Sequence, residues 1–198
     1  MEYHRMHTSA PVSIPVRRRS AWRIALVALL ILVLLAVLAV AGISFYVGWQ
    51  LTHPERKPVA ETPRDYGMDY KEVEFFSRED AVPLKGWFVP SSGSGKGLTV
   101  VIAHGYRNNR TQENVPGLAV ARELSRAGYD LFLFDFRGHG ESGGTFTSVG
   151  QHEQKDLHGA IDWVRKQGRP GQPVALLGFS MGASTSLMVA AADPEVAG

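Results

Sequence analysis

From Ile24 to Val47 the chain reads IALVALLILVLLAVLAVAGISFYV, and no charged residue lies between Arg23 and Glu55. An uninterrupted apolar run of this length reads as a membrane-spanning helix rather than a core helix. Its helical rise is about 36 Å, against about 30 Å of bilayer hydrocarbon. Trp22 stands at one end and Phe45, Tyr46 and Trp49 at the other, as interfacial aromatics do. Arg5, Arg17, Arg18, Arg19 and Arg23 precede the run, whereas Arg56, Lys57 and Arg64 follow it at a distance. This bias predicts a cytoplasmic N-terminus and a chain that continues outside the cell membrane. Ala39-Val40-Ala41 offers a small-x-small cleavage site, so a signal peptide is the rival reading. The apolar stretch exceeds the usual ~7–15 residues of a signal peptide, which favours an uncleaved anchor.

Charge is distributed unevenly. Residues 1–23 hold five arginines against one glutamate, while the remainder of the chain is slightly acidic. The basic pI of about 9.0 therefore belongs to a short N-terminal block, and a nucleic-acid-binding face is not expected. With no cysteine in the sequence, thiol nucleophiles, thiolate metal sites and disulfides are excluded. Pro54, Pro58 and Pro63 interrupt residues 48–69, which read as a semi-extended stalk.

Beyond residue 70 strand and helix patterns alternate. KEVEFF (71–76) and LKGWFV (84–89) suit an antiparallel hairpin. LTVVIA (98–103), YDLFLF (129–134) and VALLG (174–178) are continuous apolar runs, as in strands buried on both faces. Helices are expected over 115–127, 151–167 and 181–192. The second carries Leu157, Ala160, Ile161 and Val164 on one face, with Gly168 as its C-cap. Such alternation implies an α/β domain with a largely parallel sheet.

Gly178-Phe179-Ser180-Met181-Gly182 follows the third apolar run and opens a helix. In that context G-x-S-x-G is a nucleophile elbow, a turn too tight for a β-carbon on either side. It holds the serine in a strained conformation with its hydroxyl exposed at the carboxyl end of the sheet. The helix N-terminus beneath it favours developing negative charge. A chance pentapeptide is the bland alternative, and its placement between strand and helix argues against it. His104-Gly105-Tyr106 ends the strand LTVVIA, and its loop is expected beside the elbow. The backbone N–H groups of Tyr106 and Met181 are then candidates for an oxyanion hole, with an ordinary strand-ending turn as the alternative.

HGY (104–106), DFRGHGES (135–142) and GFSMG (178–182), in this order, resemble the α/β-hydrolase superfamily. The resemblance is closest to the serine-aminopeptidase-like and monoglyceride-lipase-like branch, including its membrane-anchored bacterial members. It implies an α/β-hydrolase fold over 70–198: a mostly parallel, doubly wound sheet led by an antiparallel hairpin and preceded by one transmembrane helix. It implies Ser180 as nucleophile, Tyr106 and Met181 as oxyanion donors, Gly105, Gly178 and Gly182 as loop and elbow glycines, and 135–142 as a structural turn. It implies no cofactor and no metal, and an acyl ester, amide or peptide as substrate.

The family places its acid and then its histidine after the serine. Here no histidine follows Ser180, and the only later acids are Asp193 and Glu195. His104 and His139 lie near the expected site but do not match the family's base. The expectation is a hydrolase domain incomplete at its C-terminus, with acid and base absent from these 198 residues and little activity in this chain alone. A non-enzymatic, membrane-tethered relic or binding module is the competing class.

Other motifs carry less. Gly138-x-Gly140-x-x-Gly143 matches a dinucleotide fingerprint but neither follows a strand directly nor opens a helix. GSGKG (93–97) lacks the hydroxyl residue of a phosphate loop. His152 and His158 fall on different helix faces and cannot share a metal. His4 and His7 sit in the basic tail, and Trp163 is a packing residue. Arg107-Asn108-Asn109-Arg110 is expected as a solvated loop, with contact to a polar substrate group as the alternative.

Overall fold

The structure is a computed structural model and describes residues 20–92 and 94–197. The expected cytoplasmic tail, with His4 and His7, therefore lies outside the described residues except for 20–23. The chain divides into two compact units, 1–46 and 47–198. The described part of the first is helical, within α1 (Ala21–Thr52). One 18-residue window of α1 has a mean hydropathy of 3.4 and none of it is buried, so this helix is long and apolar enough to cross a membrane. It runs past the expected boundary at Val47, and its last residues belong to the second unit.

The second unit orders its elements as β1 (Lys71–Phe76), β2 (Pro83–Val89), β3 (Thr99–Ala103), α2 (Gly117–Arg126), β4 (Asp130–Phe134), α3 (Glu153–Trp163), β5 (Val174–Gly178), α4 (Met181–Ala192) and β6 (Val196–Ala197). A π-helical turn, Val164–Gly168, extends α3. The six strands form one sheet in the order β1-β2-β4-β3-β5-β6. β1 and β2 pair antiparallel, as do β2 and β4; the pairs β4–β3, β3–β5 and β5–β6 are parallel. The sheet is mixed, as expected, with the antiparallel hairpin at its leading edge.

Strand alternation divides the core. Phe132 and Phe134 of β4 and Val101 and Ala103 of β3 face one side, with Leu157, Ile161 and Val164. Leu131, Leu133, Val100 and Ile102 face the other, with Leu118 and Ala121 of α2. Both faces are covered, so these strands carry no polar alternation. Trp163 stacks on Phe132 at 4.8 Å between centroids. β5 was expected to be as buried as β3, yet beyond Val174 it is only half-buried. Its outer neighbour β6 pairs with Val174 and Ala175 alone.

The semi-extended stalk expected at 48–69 is not what forms. Residues 48–52 complete α1, and Pro63–Tyr66 make a 3-10 turn closed by Gly67 at φ 72. Val59, Tyr66 and the buried Met68 pack against the α2 face of the core. Apolar burial and long-range hydrogen bonds outweigh the extended preference of three prolines spread through this segment.

The chain steps from β3 outward to β4, then back across β3 to β5. The carboxyl ends of β3 and β5 thus flank the point where the sheet reverses its winding, where open α/β sheets bind ligands.

Candidate active site

Ala103 at the end of β3 is in register with Gly178 at the end of β5. The loop after β3 and the elbow after β5 are therefore neighbours, fastened where Phe179 N–H donates to the Ala103 carbonyl at 2.9 Å. Ser180 has φ 50 and ψ −112, a left-handed conformation that costs a non-glycine residue about 1–3 kcal/mol. Its side chain is exposed. A β-carbon on Gly178 would come within 2.4 Å of the Ala183 backbone, and one on Gly182 within 2.2 Å of the Ala103 carbonyl oxygen. The two glycines let β5, α4 and β3 converge under the serine.

A β-carbon on Gly105 would lie 3.5 Å from Cβ of Ser180 and 3.3 Å from the Phe179 carbonyl. The His104-Gly105-Tyr106 loop therefore runs alongside the serine. Met181 opens α4, so its N–H is one of the donors a helix leaves unsatisfied. The Tyr106 N–H takes no backbone acceptor among the described residues. Ser180, Tyr106 and Met181 thus share one corner, with the donors and the N-terminus of α4 suited to an oxyanion.

Two buried histidines support that corner without any free nitrogen. His104 Nδ1 donates to the Gly105 carbonyl at 2.8 Å, and its Nε2 accepts the Phe136 N–H at 3.0 Å. His139 Nδ1 donates to the Arg137 carbonyl at 2.8 Å, and its Nε2 accepts the Arg107 N–H at 3.3 Å. Burial, with His139 nearby, pushes His104 down to about 3. Burial also pushes His139 below the ordinary histidine range, so both are neutral at pH 7. Neither is placed to take a proton from Ser180.

The loop polar residues are structural. Asn108, Asn109 and Arg110 are buried, contrary to the solvated loop expected for 107–110; only Arg107 is exposed. Asp135 accepts the backbone N–H of Arg110 at 2.7 Å and that of Glu141 at 2.9 Å, binding the loops after β3 and β4 together. The Arg110 guanidinium lies 3.7 Å from Asp135, also bonds Glu141, and stacks over Trp87 at 4.3 Å. Arg137 forks onto Asp156 and Asp80, and its hydrogen bonds hold Asp80 down to about 2. Burial pushes Asp156 up to about 6, so it remains mostly ionised beside Arg137 at pH 7.

Sequence reasoning missed two supporting residues. Gln112 Oε1 accepts the Gly105 N–H at 2.7 Å, fixing the loop from behind. Glu153, buried at the start of α3, accepts from Thr147 Oγ1, Ser148 N and Oγ, and Gly150 N. Against burial, which pushes it up, those bonds hold its carboxyl below the usual range. Only the Asp/Glu preference for a first helical turn hinted at Glu153. Gly138, Gly140 and Gly143 lie in the loop after β4 and form no strand-to-helix phosphate turn. Among the described residues no His, Asp and Glu cluster suits a metal ion.

Residues 87–197 match the model of the family described as X-Pro dipeptidyl-peptidase (S15 family). The uncharacterized protein YfhR of Salmonella typhimurium is 30% identical over 139 residues, covering 68% of this chain and 44% of that protein. The esterase Pf2001 of Pyrococcus furiosus superposes with a TM-score of 0.65 at 34% identity, covering 72% of this chain and 55% of that one. XC6422 of Xanthomonas campestris, described as an α/β serine hydrolase without lid, superposes with a TM-score of 0.54 at 30% identity, covering 63% and 56%. The chain spans about half the length of these relatives.

Proposed function

Because the chain belongs to the X-Pro dipeptidyl-peptidase (S15) family of α/β serine hydrolases, we propose that Ser180 is the nucleophile that opens a carboxylic ester or amide. Its hydroxyl oxygen bonds to the substrate's carbonyl carbon, and the carbonyl oxygen takes up negative charge. The N–H groups of Tyr106 and Met181 and the α4 N-terminus receive that charge. Expulsion of the alcohol or amine leaves an acyl-enzyme, which water hydrolyses. The observation that carries this reading is the left-handed serine at the β5–α4 junction with Gly105 against it.

His104 and His139 already use both ring nitrogens. The general base and its orienting acid are accordingly not assigned to any described residue; the superfamily's order of residues implies that they follow the serine. The 198-residue chain alone is then expected to be nearly inactive. Reaction of the full-length protein with a fluorophosphonate probe tests the assignment. Labelling lost in Ser180→Ala is expected; an unlabelled native protein, or labelling that survives the substitution, would overturn it.

We further read α1 as a single-pass signal anchor, cytoplasmic at its N-terminus, with the hydrolase domain outside the cell membrane. The support is its hydropathy and the five arginines that precede Ile24. A cysteine introduced at Lys166, in a chain that otherwise has none, should react with an impermeant maleimide on intact cells. Protection of that cysteine would reverse the topology. Within the superfamily, the branch favoured by the three sequence motifs is the serine-aminopeptidase-like and monoglyceride-lipase-like one.

A further inference from the structure

We infer that Arg107 is a specificity-determining residue: its guanidinium receives a carboxylate that the substrate carries a few atoms from the ester or amide carbonyl attacked by Ser180. This rests on the hydrolase reading above and adds the substrate class.

The argument starts from the four polar residues that follow the proposed oxyanion donor Tyr106. The fold parts them. Asn108 Oδ1 accepts the N–H groups of Asn109 at 3.1 Å and Glu113 at 3.3 Å. Asn109 Nδ2 donates to the Pro58 carbonyl at 2.9 Å. Arg110 pairs with Asp135 and Glu141. Those three are buried, and Arg107 alone of the four is exposed. Arg137, the remaining guanidinium in the loops after β3 and β4, forks onto Asp156 and Asp80. Arg107 is thus the one arginine of these loops without a carboxylate partner among the described residues.

Its place is fixed. A β-carbon on Gly105 would lie 3.5 Å from Cβ of Ser180. Arg107 follows two residues later, so its Cα is no more than about 12 Å from that atom, and its long side chain can close the gap. His139 Nε2 accepts the Arg107 N–H at 3.3 Å and holds the residue at φ 55. Glycine takes this left-handed conformation freely, whereas arginine does so against its own β-carbon. Strain of this kind clusters where a side chain is needed at one point.

The charge around that point suits an anion. The elbow and α4 contain no charged residue from Gly178 to Ala192, so no carboxylate on the serine's side repels one. Both terminal nitrogens of Arg56 donate to carbonyls, those of Gly140, Ser142 and Gly144. Carbonyl partners leave its charge unneutralised. Burial first, and then Arg56, push His139 down, which puts this second cation beside the ring that holds Arg107. Arg56 therefore supplies field and Arg107 supplies donors. A free guanidinium is a planar fork that matches a carboxylate with two parallel hydrogen bonds. One fork meets a singly charged carboxylate; a phosphate monoester would keep half its charge unmet.

The test gives the full-length protein two matched pairs of esters. The pair p-acetoxybenzoate and p-acetoxybenzamide differs by a charge on the leaving group. The p-nitrophenyl monoesters of adipic acid and adipamic acid differ by a charge on the acyl group. In at least one pair, kcat/KM is expected to favour the carboxylate about tenfold, as one charge-assisted contact provides, and high salt should erode the preference. Arg107→Gln should bring that ratio close to one. Arg107→Lys, which keeps the charge without the fork, should retain part of it. Arg122→Gln, which removes an exposed charge on α2, should leave the ratio as in the wild type. No preference in either pair, a preference that survives Arg107→Gln, or an equal loss in Arg122→Gln overturns the inference, while labelling by a neutral fluorophosphonate leaves the hydrolase reading intact. Absence of labelling defeats the hydrolase reading, and this inference with it.

Discussion

His139 accepts the backbone N–H of Arg107 through Nε2, at 3.3 Å, from the far side of the loop that carries Tyr106. Arg107 has φ 55, so this part of the loop is held in a left-handed turn and needs an external partner to stay there. His139 is therefore a positioning residue for the proposed oxyanion donor, one position away from the bond it accepts.

His139→Phe removes that acceptor and should slow fluorophosphonate labelling of Ser180 about tenfold, a fraction of the ~100–1,000-fold loss seen when an oxyanion donor is deleted outright. His139→Gln keeps an acceptor and should recover most of the rate. Labelling rates measured beside thermal melts separate positioning from stability; equal rates in both variants and the wild type would dismiss the role.

Ser180 is strained where it stands. Ser180→Gly should stabilise the fold by about 1 kcal/mol or more relative to Ser180→Ala, because only glycine adopts φ 50, ψ −112 without cost. Urea unfolding of the two variants gives the difference directly. An equal or lower midpoint for glycine would mean that the elbow is relaxed.

Gly182→Ala pushes a methyl group against the carbonyl oxygens of both Ala103 and His104, which are backbone and cannot swing away. A loss of about 1–3 kcal/mol is expected, as for other overpacked sites, together with a displaced serine corner. Thermal melting and probe labelling should fall together. A variant that melts lower but labels normally would show that α4 shifts without moving Ser180.

Arg137 is buried between Asp156 and Asp80. Arg137→Met strands the Asp156 carboxylate and should cost about 3–5 kcal/mol, read by denaturant unfolding. Adding Asp156→Asn should restore part of the loss by removing the orphaned charge. A double variant no better than the single would place the damage in packing.

His104 sets an acid limit. Its folded-state pKa of about 3 lies below the ordinary value of 6.5, so in acid the unfolded chain binds a proton that the folded one refuses. The stability it supports is full above about pH 6.5 and is lost as pH falls toward 3, by up to about 1.4 kcal/mol per unit. Stability measured against pH should fall less steeply in His104→Gln than in the wild type over that window. Parallel curves would show that His104 titrates normally.

The parts of this fold that the sequence displays are those set by local pattern. β3 and β4 appear as apolar runs because both sheet faces are covered, and the elbow appears because its glycines must lie within five residues. What stayed hidden depends on partners distant in the chain. Arg110 looks like a solvated charge until Asp135, Glu141 and Trp87 surround it. The proline-containing segment looks free until Arg56 meets the carbonyls of the loop after β4. Neither pairing leaves a periodicity to read. His104 and His139 are likewise visible as residues near the site, but their occupied nitrogens emerge only in three dimensions.

The docking of residues 51–68 also decides where a water-soluble version of this protein can be severed. A cut at residue 70, where the composition turns globular, would discard Arg56, Val59 and Met68, exposing the α2 face and leaving Tyr106 and Asn109 without their acceptors. A cut just upstream of Val47 removes most of the greasy helix while keeping the clasp, and should yield the better-behaved protein.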